Sequence, residues 1–383
     1  MAGSSIAQAD RFDSESPDPQ GTHVRPILPD RFDYQAYQDY EARLLETCRR
    51  FWQADSGVAV YRRFRVPQCF TWMCKDMQAS LSYQLGALAA SMAYRSDIPN
   101  FLEPWYGIGQ LASALGIDYV WPAGQAPVVP KAFGSIRQAL EQTLVPIDQT
   151  PIGRQTLAMV DYFVNATGGR LPISLTDTQS PLNALSFVVE SEPFYLAFIE
   201  AKDQLLQMLD RLVPLQIAFV QRQLEILQQT VVWPGHGFAS TRVFTGLGAS
   251  DDIMTTLGPS HYAQFGLPSL VKCARPFGGP AIHSCGNWSD KADVVRQVQG
   301  LVMVDAAFTS QTDPDPNEGG SFAEAFTGTG IVVNARMVGD KQTVIQTVRS
   351  LWRPGMKLIV VTYCRDPQEQ AEVYEAVHQI CQD

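Results

Sequence analysis

The sequence predicts an α/β fold: a (β/α)8 barrel of TIM type with an N-terminal helical extension. Three observations lead there. From about residue 155 onward, short and continuously apolar runs alternate with helical stretches, the pattern of parallel βαβ units. Polar residues stand at the C-terminal ends of many of those runs, where a barrel gathers its active site. No Gly-x-Gly-x-x-Gly follows the first strand candidate, which counts against an open dinucleotide-type sheet.

The elements follow in order. Residues 1–28 are Ser, Asp, Pro and Gln without periodicity and are expected to form a disordered tail, leaving 29–383 as one barrel domain. Asp33 to Trp52 carries Tyr34, Tyr37, Tyr40, Leu44, Leu45, Cys48 and Phe51 at helical spacing. Met77 to Ala93 is a second helix, richer in Ala and Leu. Strands are expected at 172–176, 231–233, 281–283, 301–304, 331–334 and 358–362, with helices at 193–229, 260–275, 290–299 and 341–350 between them.

Composition bounds the function. Charged residues make up 18% of the chain, below the usual quarter, so an extensive interior is expected. The net charge of −10, with no basic run, argues against nucleic acid or an anionic membrane as partner. The first residues are polar, and no apolar stretch is long enough to span a bilayer, so a cytoplasmic protein is expected. Seven cysteines in a chain of this length are not a disulfide framework and read as free thiols, some of them available for chemistry.

One constellation points to a metal. In Ala281-Ile-His-Ser-Cys-Gly-Asn287, His283 and Cys285 are two residues apart at a strand end, so both side chains face one side. Cys364 ends a later strand. A His/Cys/Cys set suits zinc, and three protein ligands leave a fourth position open for chemistry. Spacing alone leaves the plainer reading in place: a strand-end Cys is most often a small buried hydrophobe, and Gly286-Asn287 also suits a simple turn.

The stretch His283-Ser-Cys-Gly-Asn287 with Cys364 resembles the zinc-binding H-x-C…C pattern of the corrinoid:coenzyme M methyltransferases, in the uroporphyrinogen decarboxylase superfamily. Looser matches are Arg95-Ser-Asp-Ile98 with Glu103-Pro-Trp-Tyr-Gly107, Thr176-Asp-Thr-Gln-Ser-Pro181, and Ser250-Asp-Asp252 before Gly258-Pro-Ser-His-Tyr-Ala-Gln-Phe265. The resemblance spans roughly residues 65 to 380. It implies zinc on His283, Cys285 and Cys364. It also implies a methylcorrinoid co-substrate carried by a partner corrinoid protein, and a thiol or tetrahydrofolate as methyl acceptor. The decarboxylases carry an Arg-rich R-Q-A-G-R-Y motif; the comparable region here, Val66 to Asp76, lacks it. A substrate rich in carboxylates needs cationic clamps, so decarboxylation is the second reading, kept open by Asp97 in the segment that supplies the decarboxylases' pyrrole-binding Asp. A non-catalytic tetrapyrrole or corrinoid carrier is the third, although no D-x-H-x-x-G corrinoid motif is present.

Around the metal set, Asp177, Asp252 and Asn287 are the catalytic candidates. Asp97, Glu103, Gln179, Asp305 and Asn334 are the candidates for lining the substrate pocket. Glu103, Asp177, Asp251 and Asp252 also qualify as a further zinc ligand or a hydrogen-bond partner for His283, against a commoner role in caps and turns. His236, between Gly235 and Gly237, reads as a surface-loop residue. An oligomer is compatible with everything above.

Overall fold

The computed structural model describes residues 18–382. It is a mixed α/β protein built on parallel strands. Six of them form one sheet in the order β1 (Gly57–Arg62), β8 (Lys357–Thr362), β7 (Val332–Met337), β6 (Met303–Ala307), β5 (Pro280–His283), β4 (Leu247–Ser250). The first strand of the chain therefore pairs with the last. A second, two-stranded parallel sheet pairs β2 (Ile173–Ser174) with β3 (Val231–Val232). Single parallel bridges lie beside it: Leu102 pairs with Ile173 of β2, and Gln179, in the chain beyond β2, pairs with Ser250 at the end of β4. None of the described helices is long and apolar enough to cross a membrane.

Alternation along the strands sorts side chains onto two faces. Val60, Ile282, Val304, Val333, Leu358 and Val360 pack outward against helix residues such as Phe322, Val344, Val348 and Val373. Ala59, Tyr61, Ala281, Met303, Val332, Ile359 and Val361 turn to the other face and pack together. Helix Tyr34–Gln53 closes one end of that inner cluster: Phe51 and Trp52 stack toward Phe244, and Lys357 Nζ donates to the Trp52 carbonyl at the start of β8. The opposite, carboxyl ends of the strands are left to polar side chains. Register aligns four of them on one rung: Ser250 opposite His283, His283 opposite Asp305, and Asp305 opposite Asn334.

Several expectations change in detail. Strands β1 and β4 escape the sequence pattern. In β4, Gly248 is there because a Cβ would stand 2.5 Å from the Phe238 ring, so close packing selects a residue with poor strand propensity. The long helix expected at 193–229 breaks at Ala201 into Ser191–Glu200 and Lys202–Leu227. The helix expected at 290–299 is reduced to Ala292–Val295. Residues 1–17 of the expected tail lie outside the described residues. Its remainder is tied down: Asp18 pairs with Arg65, Thr22 N–H donates to the Arg65 carbonyl, and Ile27 N–H to that of Ser82.

Candidate metal centre

His283 is the last residue of β5 and points to the inner face, two positions after Ala281. Cys285 follows on the same side, with its Sγ 3.5 Å from His283 Nε2. Gly286, at φ +74°, then turns the chain away, and its N–H is held by Asp313. Asp252, just past the end of β4, completes the group: its Oδ1 lies 3.9 Å from His283 Nε2 and accepts the Cys285 N–H at 2.7 Å. The ligand atoms of Asp252, His283 and Cys285 all fall within 4.8 Å of one another. A tetrahedral zinc with ordinary bond lengths wants its ligands roughly 3.3–3.8 Å apart, so this donor set fits the ion with little movement. Cys285 is exposed and the Asp252 side chain is 46% exposed, so the group opens to solvent on one side.

Behind the imidazole stands a buried network. Asp305, with no exposed surface, takes His283 Nδ1 at 2.5 Å on one oxygen, and the same oxygen accepts from Arg336 Nε at 2.9 Å. Its other oxygen accepts from the Asn334 amide. Asn334 Oδ1 in turn accepts the Ala239 N–H at 3.3 Å. The carboxylate fixes the ring orientation and leaves Nε2 facing Cys285 and Asp252, the arrangement that tunes a metal-ligating histidine. Burial by itself lowers the His283 pKa, but the Asp305 carboxylate and then the Cys285 sulfur outweigh it and raise it to about 10. A metal at Nε2 must displace that proton, so binding weakens as pH falls. Burial opposes ionisation of Asp305, and Arg336 with His283 overcomes that and holds its pKa below the usual value.

A second polar group lies at the same end. Arg63, on the inner face two residues beyond Tyr61, donates to Glu103 at 3.2 Å. Glu103 Oε1 accepts the Gly237 N–H and lies 3.2 Å from His236 Nδ1, in a contact too angled for a good hydrogen bond. His236 Nε2 lies 3.5 Å from Asp177 Oδ2. Asp177 also accepts from Gln179 Nε2 at 2.8 Å, Ser250 Oγ at 3.2 Å and Trp105 Nε1 at 3.4 Å. The pKa of Glu103 is depressed: burial opposes this, and Arg63 followed by His236 overrides it. Asp177, Glu103 and Gln179 are thus brought together around His236 and outside the His283 donor set, which they adjoin through Ser250, the residue opposite His283 in register. His236 itself is no surface-loop residue; its side chain is 13% exposed.

Other expected positions sit elsewhere. Cys364 is not brought to His283 and Cys285. It packs with the outward-facing cluster of Leu358 and Val360, and its carbonyl accepts from Arg62 Nε at 2.7 Å. The register of β8 explains this: Tyr363 shares the inner face with Val361, and the next residue falls on the other side. Burial pushes the Cys364 thiol up to about 12, so it is a neutral SH. Asp97 ties β1 to the C-terminal helix: it accepts from Val60 N–H at 2.8 Å and Tyr374 OH at 2.6 Å, and meets His378 Nε2 at 2.8 Å. None of these partners belongs to the His283 group. Asn287 makes the turn, accepting the Ser289 N–H and reaching Asp315. Asp251 is fully buried under Ser180 Oγ and Tyr262 OH, and burial raises its pKa to about 7.

Arg63 and Arg336 are not among the residues the sequence points to, and His236 is among them only as a loop residue. The signals were present but faint: each arginine lies two residues past an inner-facing strand residue, and His236 lies between two glycines.

Fold and site together define a parallel α/β protein with a His–Cys–carboxylate donor cluster at the carboxyl ends of its strands. No protein family matches the chain by its sequence profile, and no curated protein matches it by sequence. Among solved structures it is similar to a methyltransferase from Methanosarcina mazei, with a TM-score of 0.59 and 15% identity over 89% of this chain and 98% of that one. At that identity the similarity establishes a shared fold.

Proposed function

We propose that this protein is a zinc-dependent methyltransferase. It moves a methyl group from a methylcorrinoid, free or carried by a partner protein, to a thiol or a tetrahydrofolate. The two parallel sheets are arcs of one closed (β/α)8 barrel, a reading supported by the β1–β8 pairing and the bridges at Leu102 and Gln179. The observation that carries the function is the cluster of Asp252, His283 and Cys285, open to solvent and backed by a buried carboxylate. The fold it shares with a methyltransferase agrees with this.

The residues divide the work. His283 Nε2 and Cys285 Sγ offer the imidazole and thiolate donors, and Asp252 offers an exposed, displaceable carboxylate. When bound, zinc supplies positive charge that lowers the pKa of an incoming acceptor thiol and keeps it nucleophilic. Asp305 holds the His283 ring, and Arg336 with Asn334 holds Asp305. The same buried pairing argues against the decarboxylase reading: Arg63 and Arg336 are each committed to a carboxylate, so neither is free to clamp an anionic substrate.

The third ligand separates this reading from the resemblance, which names Cys364. Zinc content of Asp252→Asn set against Cys364→Ala decides between them. The function is tested by assaying metal content together with demethylation of methylcobalamin across thiol and folate acceptors. About one zinc per chain and acceptor-dependent demethylation are expected of a single open site. A zinc-free protein, active on no acceptor, overturns the proposal. Tight corrinoid binding without transfer identifies a carrier, and porphyrinogen turnover that survives chelation identifies a decarboxylase.

A further inference from the structure

His236 is held like His283 but has no thiol beside it. Its Nδ1 side meets Glu103, which is fixed by Arg63, and its Nε2 meets Asp177. Neither ring nitrogen is locked. Nδ1 is buried without an aligned hydrogen bond, and Nε2 stands 3.5 Å from its carboxylate. Arg63 Nε, also buried, has no hydrogen-bond partner. The Phe70 ring packs beside the imidazole, with centroids 5.4 Å apart. His236 and Asp177 side chains are each 13% exposed, so both are largely withdrawn from bulk solvent without being sealed from it.

One short loop couples this group to the metal cluster. From Gly235 to Thr241 it supplies His236, then Phe238, whose ring centroid lies 6.3 Å from that of His283. Next comes the Ala239 N–H, which holds Asn334 and through it Asp305. The loop that carries His236 thus packs its Phe238 against His283, and Asp177, which faces His236, is bonded to Ser250, the residue opposite His283.

We propose that His236 takes up the proton that the methyl acceptor loses. The proposal rests on the methyltransferase reading above. In the reaction the acceptor S–H (or N–H) bond breaks and an S–C (or N–C) bond forms. The methyl–cobalt bond breaks with both electrons remaining on the corrinoid, which is thereby reduced; no other oxidant or reductant is needed. The proton passes to His236 Nε2, where the Asp177 carboxylate faces it. Glu103 and Arg63 are positioning residues that orient the ring.

The test uses the full-length, zinc-loaded protein with free methylcobalamin and either coenzyme M or tetrahydrofolate. In His236→Gln, kcat is expected to fall about 100-fold, the lower range for loss of a general base, with zinc content and acceptor KM unchanged. In His236→Ala, added imidazole restores part of the rate, which a purely structural histidine would not allow. Asp177→Asn lowers kcat less and also keeps zinc. A His236→Gln rate equal to that of the unsubstituted protein overturns the proposal, as does a loss that follows loss of zinc or an absence of rescue. Should His236→Ala fail to fold, NMR of 15N-histidine in the unsubstituted protein decides: added thiol protonates the His236 ring, and an unchanged signal overturns the proposal. Turnover by the unsubstituted protein with His236→Gln unaffected sinks this proposal alone. No turnover with any acceptor sinks the methyltransferase reading and this proposal together.

Discussion

His283 and His236 each turn Nδ1 toward a buried carboxylate, and each carboxylate is held by a buried arginine: Asp305 by Arg336, Glu103 by Arg63. They differ in what faces Nε2. For His283 it is a thiol and an exposed carboxylate; for His236 it is the Asp177 carboxylate. The supporting triad sets ring orientation in both, and the residue opposite Nε2 sets the chemistry. A soft sulfur donor suits a metal, and a single carboxylate suits a proton, which is how the two proposals above divide the histidines. The first triad is also the tighter, with its imidazole 2.5 Å from the carboxylate against 3.2 Å in the second.

The largest expected effect breaks the comparison at the metal side. His283→Ala or Cys285→Ala should remove zinc and abolish methyl transfer, read by metal analysis and methylcobalamin demethylation, whereas His236→Ala should retain zinc. Equal zinc in all three proteins would remove the basis for separating the two histidines.

Next come the carboxylates behind them. Asp305→Asn leaves Arg336 buried and unpaired, and Glu103→Gln does the same to Arg63, each at a cost of about 3–5 kcal/mol in denaturant unfolding. Only Asp305→Asn should also weaken zinc binding, by about 10–100-fold, because only Asp305 orients a metal ligand. Zinc loss in Glu103→Gln would show that the groups are one site.

A smaller effect lies at Asp251, next to Asp252 in the chain. Asp251 has a folded pKa of about 7, raised above its unfolded value by burial. Between about pH 4 and pH 7 the folded protein keeps a proton that the unfolded chain has released, so stability falls as pH rises through that window. The full window corresponds to roughly 4 kcal/mol at most. Denaturant unfolding of the zinc-free protein at pH 5 and pH 6, below the range in which His283 loses its proton in the unfolded chain, samples about 1.4 kcal/mol of it, and Asp251→Asn should remove that contribution. A stability that rises over this range instead would contradict the burial argument.

The smallest effect is expected at Cys364. Its thiol faces the helices, so Cys364→Ser should leave zinc content unchanged and cost about 1 kcal/mol, the range for placing a hydroxyl where a buried thiol packed. Loss of zinc in this variant would return Cys364 to the donor set and displace Asp252.

What the sequence determined by itself is local. His283 and Cys285 share a side because residues i and i+2 in extended chain must, and that is visible in the three letters His283-Ser-Cys285. The parallel α/β architecture is visible in the alternation of apolar runs and helices, but Asp305 and Asn334, expected to close their strands, stand third in β6 and β7, which run on to Ala307 and Met337. Tertiary structure decided the rest, because it depends on register and loop path. A shift of one residue along β8 carries Cys364 to the outer face, while a turn after β4 brings Asp252 beside His283. Arg63, Glu103 and His236 come from three separate segments, and no pattern within any of them announces the others. Strand ends are legible because side-chain periodicity is a property of a few neighbouring residues. Which side chains meet there is set by packing between segments far apart in the chain.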